Sequence, residues 1–347
     1  MEEVVVENLF NGEREAKIKA ARELVKLNTK QRHNLAERGV MSPLISMLHS
    51  QHYKTVEAAL YALLSLTFRS ERNKISIVKS GAIPVLLNLL QCQNEELIEL
   101  TLAAMLILSS CKANKLEIAS SGTIQHLVQF LNGNYGGDNN MNSISMQAKL
   151  DMVTTLHHLS NCHQIIPSIV SSGLLHPLLR LIDNSEKSSK LVERIMGLLE
   201  NIVSFSENAL CEIATTDGVI PALVEIIEDG SSQCKEHAVG ILLLICQSSR
   251  ERYRGLILRE GVMPGLLQLS VDGTCWAKKM AKELLFLLRD CSSSGSRNKQ
   301  SKHELIIVQI LQAIDAEENI NEMKTLLVEE IIAKISTLHA IFSIKKY

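Results

Sequence analysis

Six glycines, Gly39, Gly81, Gly122, Gly173, Gly218 and Gly261, sit in one recurring local pattern and follow each other at spacings of 42, 41, 51, 45 and 43 residues. The clearest copy runs from Asn73 to Leu90, NKISIVKSGAIPVLLNLL: a polar start, apolar residues at helical spacing, a glycine, two or three residues, usually a proline, then a leucine-rich turn. Self-similarity at a period of about 40–47 residues marks a helical solenoid, and it constrains this chain more than any other feature.

The unit follows from backbone physics. A short helix, Asn73 to Ser80, is expected to stop at Gly81, which takes a positive φ without a Cβ penalty. Pro84 has the fixed φ of a first helical turn and should open a second helix reaching Leu90. A third helix, about Tyr53 to Arg69 in the preceding unit, is apolar over most of its circumference. One unit cannot bury these faces alone, so stability must come from stacking, with caps at the ends.

Aromatic residues make up 3% of the chain, and the 46% apolar share is mostly Leu, Ile, Val and Ala, as an all-helical core requires. A formal charge of −2 gives no general attraction to nucleic acid or acidic membrane. The eight cysteines occur singly, without a C-x-x-C, and read as reduced, mostly buried thiols in a reducing compartment, cytoplasmic and/or nuclear. The start, MEEVVVENLF, lacks a basic region and a long apolar run, so no export signal or membrane span is expected.

In chain order, residues 1–29 read as an N-terminal cap, with a helix over Glu13 to Leu27 whose stripe is Ala16, Ala20, Leu24 and Leu27. Residues 30–291 form the solenoid, whose third unit is lengthened by a Gly/Asn-rich surface loop, Asn132 to Ile144. Residues 292–302 have linker composition, and 303–347 carry two amphipathic helical patterns that need a partner surface: the last repeat, each other, or a second copy.

SGAIPVLLNLL, DGVIPALVEII and EGVMPGLLQLS, the third-helix string EAALYALLSLT and the closing string GTCWAKKMAKELLFLLRD resemble armadillo repeats of plant type. They are similar to the armadillo half of plant U-box ubiquitin ligases and of relatives that have armadillo repeats only. The resemblance implies an all-α, right-handed superhelical solenoid of about six three-helix repeats with a helical C-terminal tail. The first 12 residues are too few for a U-box, so ubiquitin transfer is not expected of this chain. In the family, an asparagine ladder on the third helices holds an extended peptide, with tryptophans one turn earlier. Counted from the glycines, the ladder positions are Ser65, Ile107, His158, Asn201, Leu244 and Leu287, of which one is asparagine. One turn earlier stand Tyr61, Ala103, Thr154, Gly197, Gly240 and Glu283; none is tryptophan, and Trp276 falls elsewhere. Recognition of nuclear-localisation peptides in the importin-α manner is therefore not expected.

The third helix of the fourth unit, Leu191 to Ser204, carries Glu193, Gly197, Glu200, Asn201 and Ser204 opposite a buried stripe, which is either a contact face or an ordinary solvated one. Two turns before the ladder lie Glu57, Glu99, Leu150, Glu193, Glu236 and Lys279. These acids would focus a field on basic partners, or they offset the macrodipole at their helix starts. His157, His158 and His163 lack the spacing of metal ligands. Between Ser249 and Lys302, 11 Lys or Arg face 5 acids, a patch for an acidic protein, phosphoinositide or nucleic acid, or else a solvated cap. No catalytic motif, cofactor signature or metal site is found. The expected function is a non-catalytic adaptor that binds an extended protein segment through Tyr61, Ser65, His158, Glu193, Glu200 and Asn201. A link to ubiquitylation is implied by the resemblance alone. The alternatives are a ubiquitin ligase in its own right and docking through the late basic patch.

Overall fold

A computed structural model describes residues 2–133 and 144–289, and these form helices and turns, with no strand among the described residues. The described chain begins with α1 (Glu2–Asn11) and α2 (Arg14–Lys26), followed by six three-helix repeats. The first three comprise α3 (Thr29–Glu37), α4 (Met41–Met47) and α5 (Tyr53–Thr67); α6 (Glu71–Lys79), α7 (Ala82–Leu89) and α8 (Glu95–Ser109); and α9 (Lys115–Ser120), α10 (Thr123–Leu131) and α11 (Met146–Ser160). The next three are α12 (Ile166–Val170), α13 (Leu175–Asp183) and α14 (Lys190–Phe205); α15 (Glu207–Thr215), α16 (Val219–Asp229) and α17 (Ser232–Ser248); and α18 (Arg250–Arg259), α19 (Met263–Asp272) and α20 (Cys275–Leu288). This is an all-α solenoid.

All six repeat glycines adopt the left-handed conformation, with φ between +72° at Gly173 and +86° at Gly218. At Gly81 and Gly218 an added Cβ would meet nothing within 4 Å, so it is backbone conformation and not crowding that demands glycine there. The second helix begins earlier than its proline suggests: Gly81 is the N-cap and Ala82 the first helical residue, which puts Pro84 third. The first four helical N–H groups have no intrahelical acceptor, so proline is tolerated throughout that turn. Five of the six third helices open on a side-chain cap, from Asn94, Ser145, Ser189, Ser231 and Thr274, each accepting a hydrogen bond from a backbone N–H in the first turn.

The helices group into two compact units, divided between Pro177 and Leu178 inside α13. In the first, α1 packs on α2, α2 on α5, α5 on α8 and α8 on α11. The N-terminal segment is thus two helices rather than one, with Val5 and Leu9 of α1 buried. The stripe of α2 is Ile18, Ala20, Ala21 and Leu24, whereas Ala16 is only half-buried. In the second unit α14 packs on α17 and α17 on α20. No single described helix is long and apolar enough to cross a membrane. The described cysteines are all free thiols, and Cys211 and Cys275 are exposed. Most of the Asn132–Ile144 loop, the 292–302 linker and the 303–347 tail lie outside the described residues.

Candidate functional site

Burial confirms that the third helices share one register. The residues two before the acidic row, Thr55, Leu97, Ala148, Leu191, Cys234 and Ala277, are buried in all six helices. So are those directly after the ladder, Leu66, Leu108, Leu159, Ile202, Ile245 and Leu288. The ladder positions Ser65, Ile107, His158, Asn201, Leu244 and Leu287 are half-buried in every case. A period-3.6 helix repeating this pattern presents the same edge each time.

In the first unit, Tyr61 is 47% exposed on α5. Ser65 donates to the Ala62 carbonyl at 2.8 Å, and Ser109 of α8 bonds His158 Nδ1 of α11 at 3.1 Å. Tyr53 donates to Glu96 of α8 at 2.5 Å and lies 3.2 Å from Glu57, which is also 3.5 Å from Arg22 of α2. The bond to Glu96 holds the Tyr53 phenol well above its ordinary pKa, with burial and the charge of Glu57 adding to the shift. Asp151, beside the row position Leu150, is buried and accepts from Gln147 at 2.7 Å. Burial pushes its carboxyl pKa up; the Gln147 bond opposes the shift and the charge of Glu99 adds to it.

In the second unit the acids are braced by side chains of the neighbouring third helix. Glu200 of α14 accepts from His237 Nδ1 of α17 at 2.5 Å. Glu193 pairs with Lys190, and the Gln233 amide of α17 donates to both its oxygens at 2.6 and 3.2 Å. Glu236 of α17 accepts from Thr274, and Gln247 donates to Glu283 of α20 at 2.7 Å. Gly240 belongs to this arrangement, because a Cβ there would lie 2.6 Å from Glu200 Oε1. His237, Gln233 and Gly240 escape a reading of single repeats, since their roles arise only when the next helix is laid alongside in the same register.

Several expectations need correction. Gly197 is buried rather than part of the polar face, on which Glu193, Glu200 and Asn201 are half-buried and Ser204 is exposed. Of the row, only Glu193 lies in the first turn of its helix; α5 and α17 have no acid there, and in α8 that turn holds Glu95 and Glu96. The macrodipole thus accounts for one member at most. Trp276 stands three residues before Lys279 and so shares its side of α20; the Lys279 ammonium lies 5.2 Å from the ring centroid. The late basic patch is partly structural. Arg250 donates to the Leu287 carbonyl at 2.5 Å and to that of Arg289, and Arg254 donates to the Leu288 carbonyl at 2.8 Å, satisfying the last turn of α20. Arg297, Lys299 and Lys302 lie outside the described residues. Among the described residues no three His, Cys, Asp or Glu side chains group as metal ligands.

Repeated three-helix units with a left-handed glycine between the first and second helices define an armadillo-repeat protein. Residues 70–110 match the armadillo/beta-catenin-like repeat, and residues 139–303 match the plant U-box protein ARM repeat region. The fold is thus an armadillo-type solenoid, and its later repeats are similar to those of plant U-box proteins. Among solved structures it is similar to an engineered protein (20% identity, TM-score 0.69, covering 83% of this chain and 68% of that one). It is also similar to computationally designed armadillo repeat proteins for modular peptide recognition (20%, 0.60, 69% and 98%). A third similar structure is a designed armadillo repeat protein in complex with the peptide (KR)4 (17%, 0.50, 82% and 98%). No curated protein sequence matches the chain. The chain is a binding scaffold by its repeat architecture.

Proposed function

We propose that the chain is a non-catalytic adaptor that holds an extended, basic segment of a partner protein against its third helices, with Glu193, Glu200 and Asn201 as the main contacts. Tyr61, Ser65 and His158 occupy the equivalent helix edge within the first unit and are candidate contacts there. The observation that carries this reading is the set of carboxylates Glu193 and Glu200 on α14 and Glu236 on α17, each fixed by a neighbouring side chain. Fixed carboxylates favour a partner carrying Lys or Arg, and the designed armadillo protein bound to (KR)4 offers a chemical parallel. A place in ubiquitylation as a substrate-recognition subunit rests on the similarity to plant U-box repeats, and a cytoplasmic or nuclear location on the unpaired thiols.

The test is fluorescence anisotropy with a labelled (KR)4 peptide. Asn201→Ala should weaken binding by about 0.5–1.5 kcal/mol, the net scale of one hydrogen bond. Reversing Glu193 and Glu200 to Lys should weaken it further and flatten its salt dependence. Affinity that survives all three changes would overturn the groove reading. For the ubiquitin link, the purified chain should show no autoubiquitylation with activating and conjugating enzymes alone; robust transfer would make it a ligase.

A further inference from the structure

The last repeat differs from the others on one face of its third helix. Three residues past the acidic row stand Leu60, Leu102, Val153, Met196 and Val239, apolar and buried in all five earlier repeats. The sixth repeat has Lys282 there, exposed. Ten past the row, Thr67, Ser109, Ser160, Val203 and Cys246 are buried, whereas Arg289 is half-buried. In a stacked repeat the positions that are buried inside the array and open at its end are those a following repeat would cover. α20 therefore presents a terminal face that is basic where its predecessors are apolar. Lys278 lies one turn from Lys282 on the same side, and neither forms an ion pair among the described residues. The face is not simply polar, because Phe286, one turn beyond Lys282, is 60% exposed. A solvated cap needs charge but gains nothing from an exposed phenylalanine, so this mixed surface fits an amphipathic, acidic partner.

The chain supplies one. It leaves α20 at Leu288, beside this face, and continues for 59 residues to Tyr347. Residues 303–341 contain seven acids (Glu304, Asp315, Glu317, Glu318, Glu322, Glu329 and Glu330) against two lysines (Lys324 and Lys334). Their apolar residues recur at helical spacing, as in HELIIVQILQAI, and short amphipathic helices need a surface to be stable in water. A tether of about a dozen residues holds this segment at an effective concentration in the millimolar range, so even a weak complementary surface would be occupied.

We propose that residues 303–341 dock on the terminal face of α20, meeting Lys278 and Lys282 with their acids and Phe286 with their apolar stripe. This goes beyond the peptide-binding reading and does not depend on it.

Hydrogen exchange on the full chain at low micromolar concentration tests the proposal. Amides in 303–341 should be protected in the wild type. Lys278→Glu with Lys282→Glu should accelerate their exchange roughly ten-fold, the scale of two lost charge pairs in a tethered complex. Adding Glu317→Lys and Glu318→Lys, or Glu329→Lys and Glu330→Lys, should restore protection for one of the two pairs. Unaltered melting of the solenoid confirms that the variants are folded. The proposal is overturned by a segment that exchanges at the unprotected rate in the wild type. Protection indifferent to charge reversal overturns it equally, as does protection that appears only as protein concentration rises, which would assign the face to a second copy. Binding of phosphatidylserine vesicles through Lys278 and Lys282 with 303–341 unprotected would assign the face to lipid instead.

Discussion

Gly240→Ala separates the stabilising effect of a helix former from the cost of disturbing a contact between helices. In an open helix the change stabilises by about 0.8–1 kcal/mol, since alanine restricts the unfolded chain and glycine does not. At position 240 the new Cβ would lie 2.6 Å from Glu200 Oε1 and 3.4 Å from Met280 Sδ. The sulfur can stay, but the carboxylate must move, and its other oxygen is the one bound to His237 at 2.5 Å. Those side chains are 28% and 30% exposed, so solvent screens their bond only in part. Loss of a charged hydrogen bond in such a setting costs about 1.5–3 kcal/mol. The net expectation is destabilisation by about 0.5–2 kcal/mol where an open helix would gain about 1.

A double-mutant cycle makes the argument sharp. In a His237→Ala background the carboxylate has no bond to lose, so Gly240→Ala should recover its stabilising sign, and the coupling between positions 237 and 240 should be about 1.5–3 kcal/mol. Urea denaturation followed by circular dichroism measures all four variants. If Gly240→Ala stabilises both backgrounds equally, Glu200 is not held over Gly240 as described, and the account of that glycine is wrong.

Gly81→Val and Gly218→Val should each cost more than about 1 kcal/mol, and the alanine variants less, because φ is +81° and +86° and only conformation is at stake; thermal melts at wild-type stability for both valines would refute this. Arg254→Ala should cost about 1.5–3 kcal/mol by stripping the Leu288 carbonyl of a charged donor, whereas Lys279→Ala should stay within about 0.5 kcal/mol, a contrast that calorimetry can read. Asp151→Asn should stabilise at neutral pH. Burial raises the folded pKa, so the folded state binds the proton more tightly, and the wild type loses stability as pH rises through that pKa. The advantage of Asn should vanish below the unfolded pKa, and melting curves across pH 3–8 would show it.

The repeat and its bends were legible because they depend on local chemistry: a positive φ needs glycine, and every one of the six glycines adopts it. The register of the third helices was legible for the same reason, since a buried position must be apolar or small in every unit. Helix α1 was missed because EEVVVENLF carries β-branched residues at consecutive positions, and only its packing on α2 selects the helix. The role of Arg250 and Arg254 was hidden because their acceptors are backbone carbonyls of α20, more than thirty residues away, which no side-chain pattern announces. Gly240 read only as a position one turn before the ladder that holds no tryptophan, although its meaning lies in a carboxylate from the preceding repeat.

The same bracing bears on what the carboxylates can do for a ligand. A glutamate free in solvent must lose rotamer freedom to meet a lysine, which costs about 0.5–1.5 kcal/mol. Glu200 has already been ordered by His237, and an ionised carboxylate offers about four lone-pair sites, so acceptor capacity remains for an incoming cation. Glu99, at the row position of α8, is exposed. If preorganisation matters, Glu200→Gln should weaken (KR)4 binding more than Glu99→Gln does, by a margin near that entropic cost, or about two- to ten-fold in Kd. The His237→Ala variant should lower affinity although His237 itself need never touch the peptide. Equal losses at Glu200 and Glu99, with no effect of His237→Ala, would show that the carboxylates act only through their summed field, and the contacts between repeats would then serve stability alone.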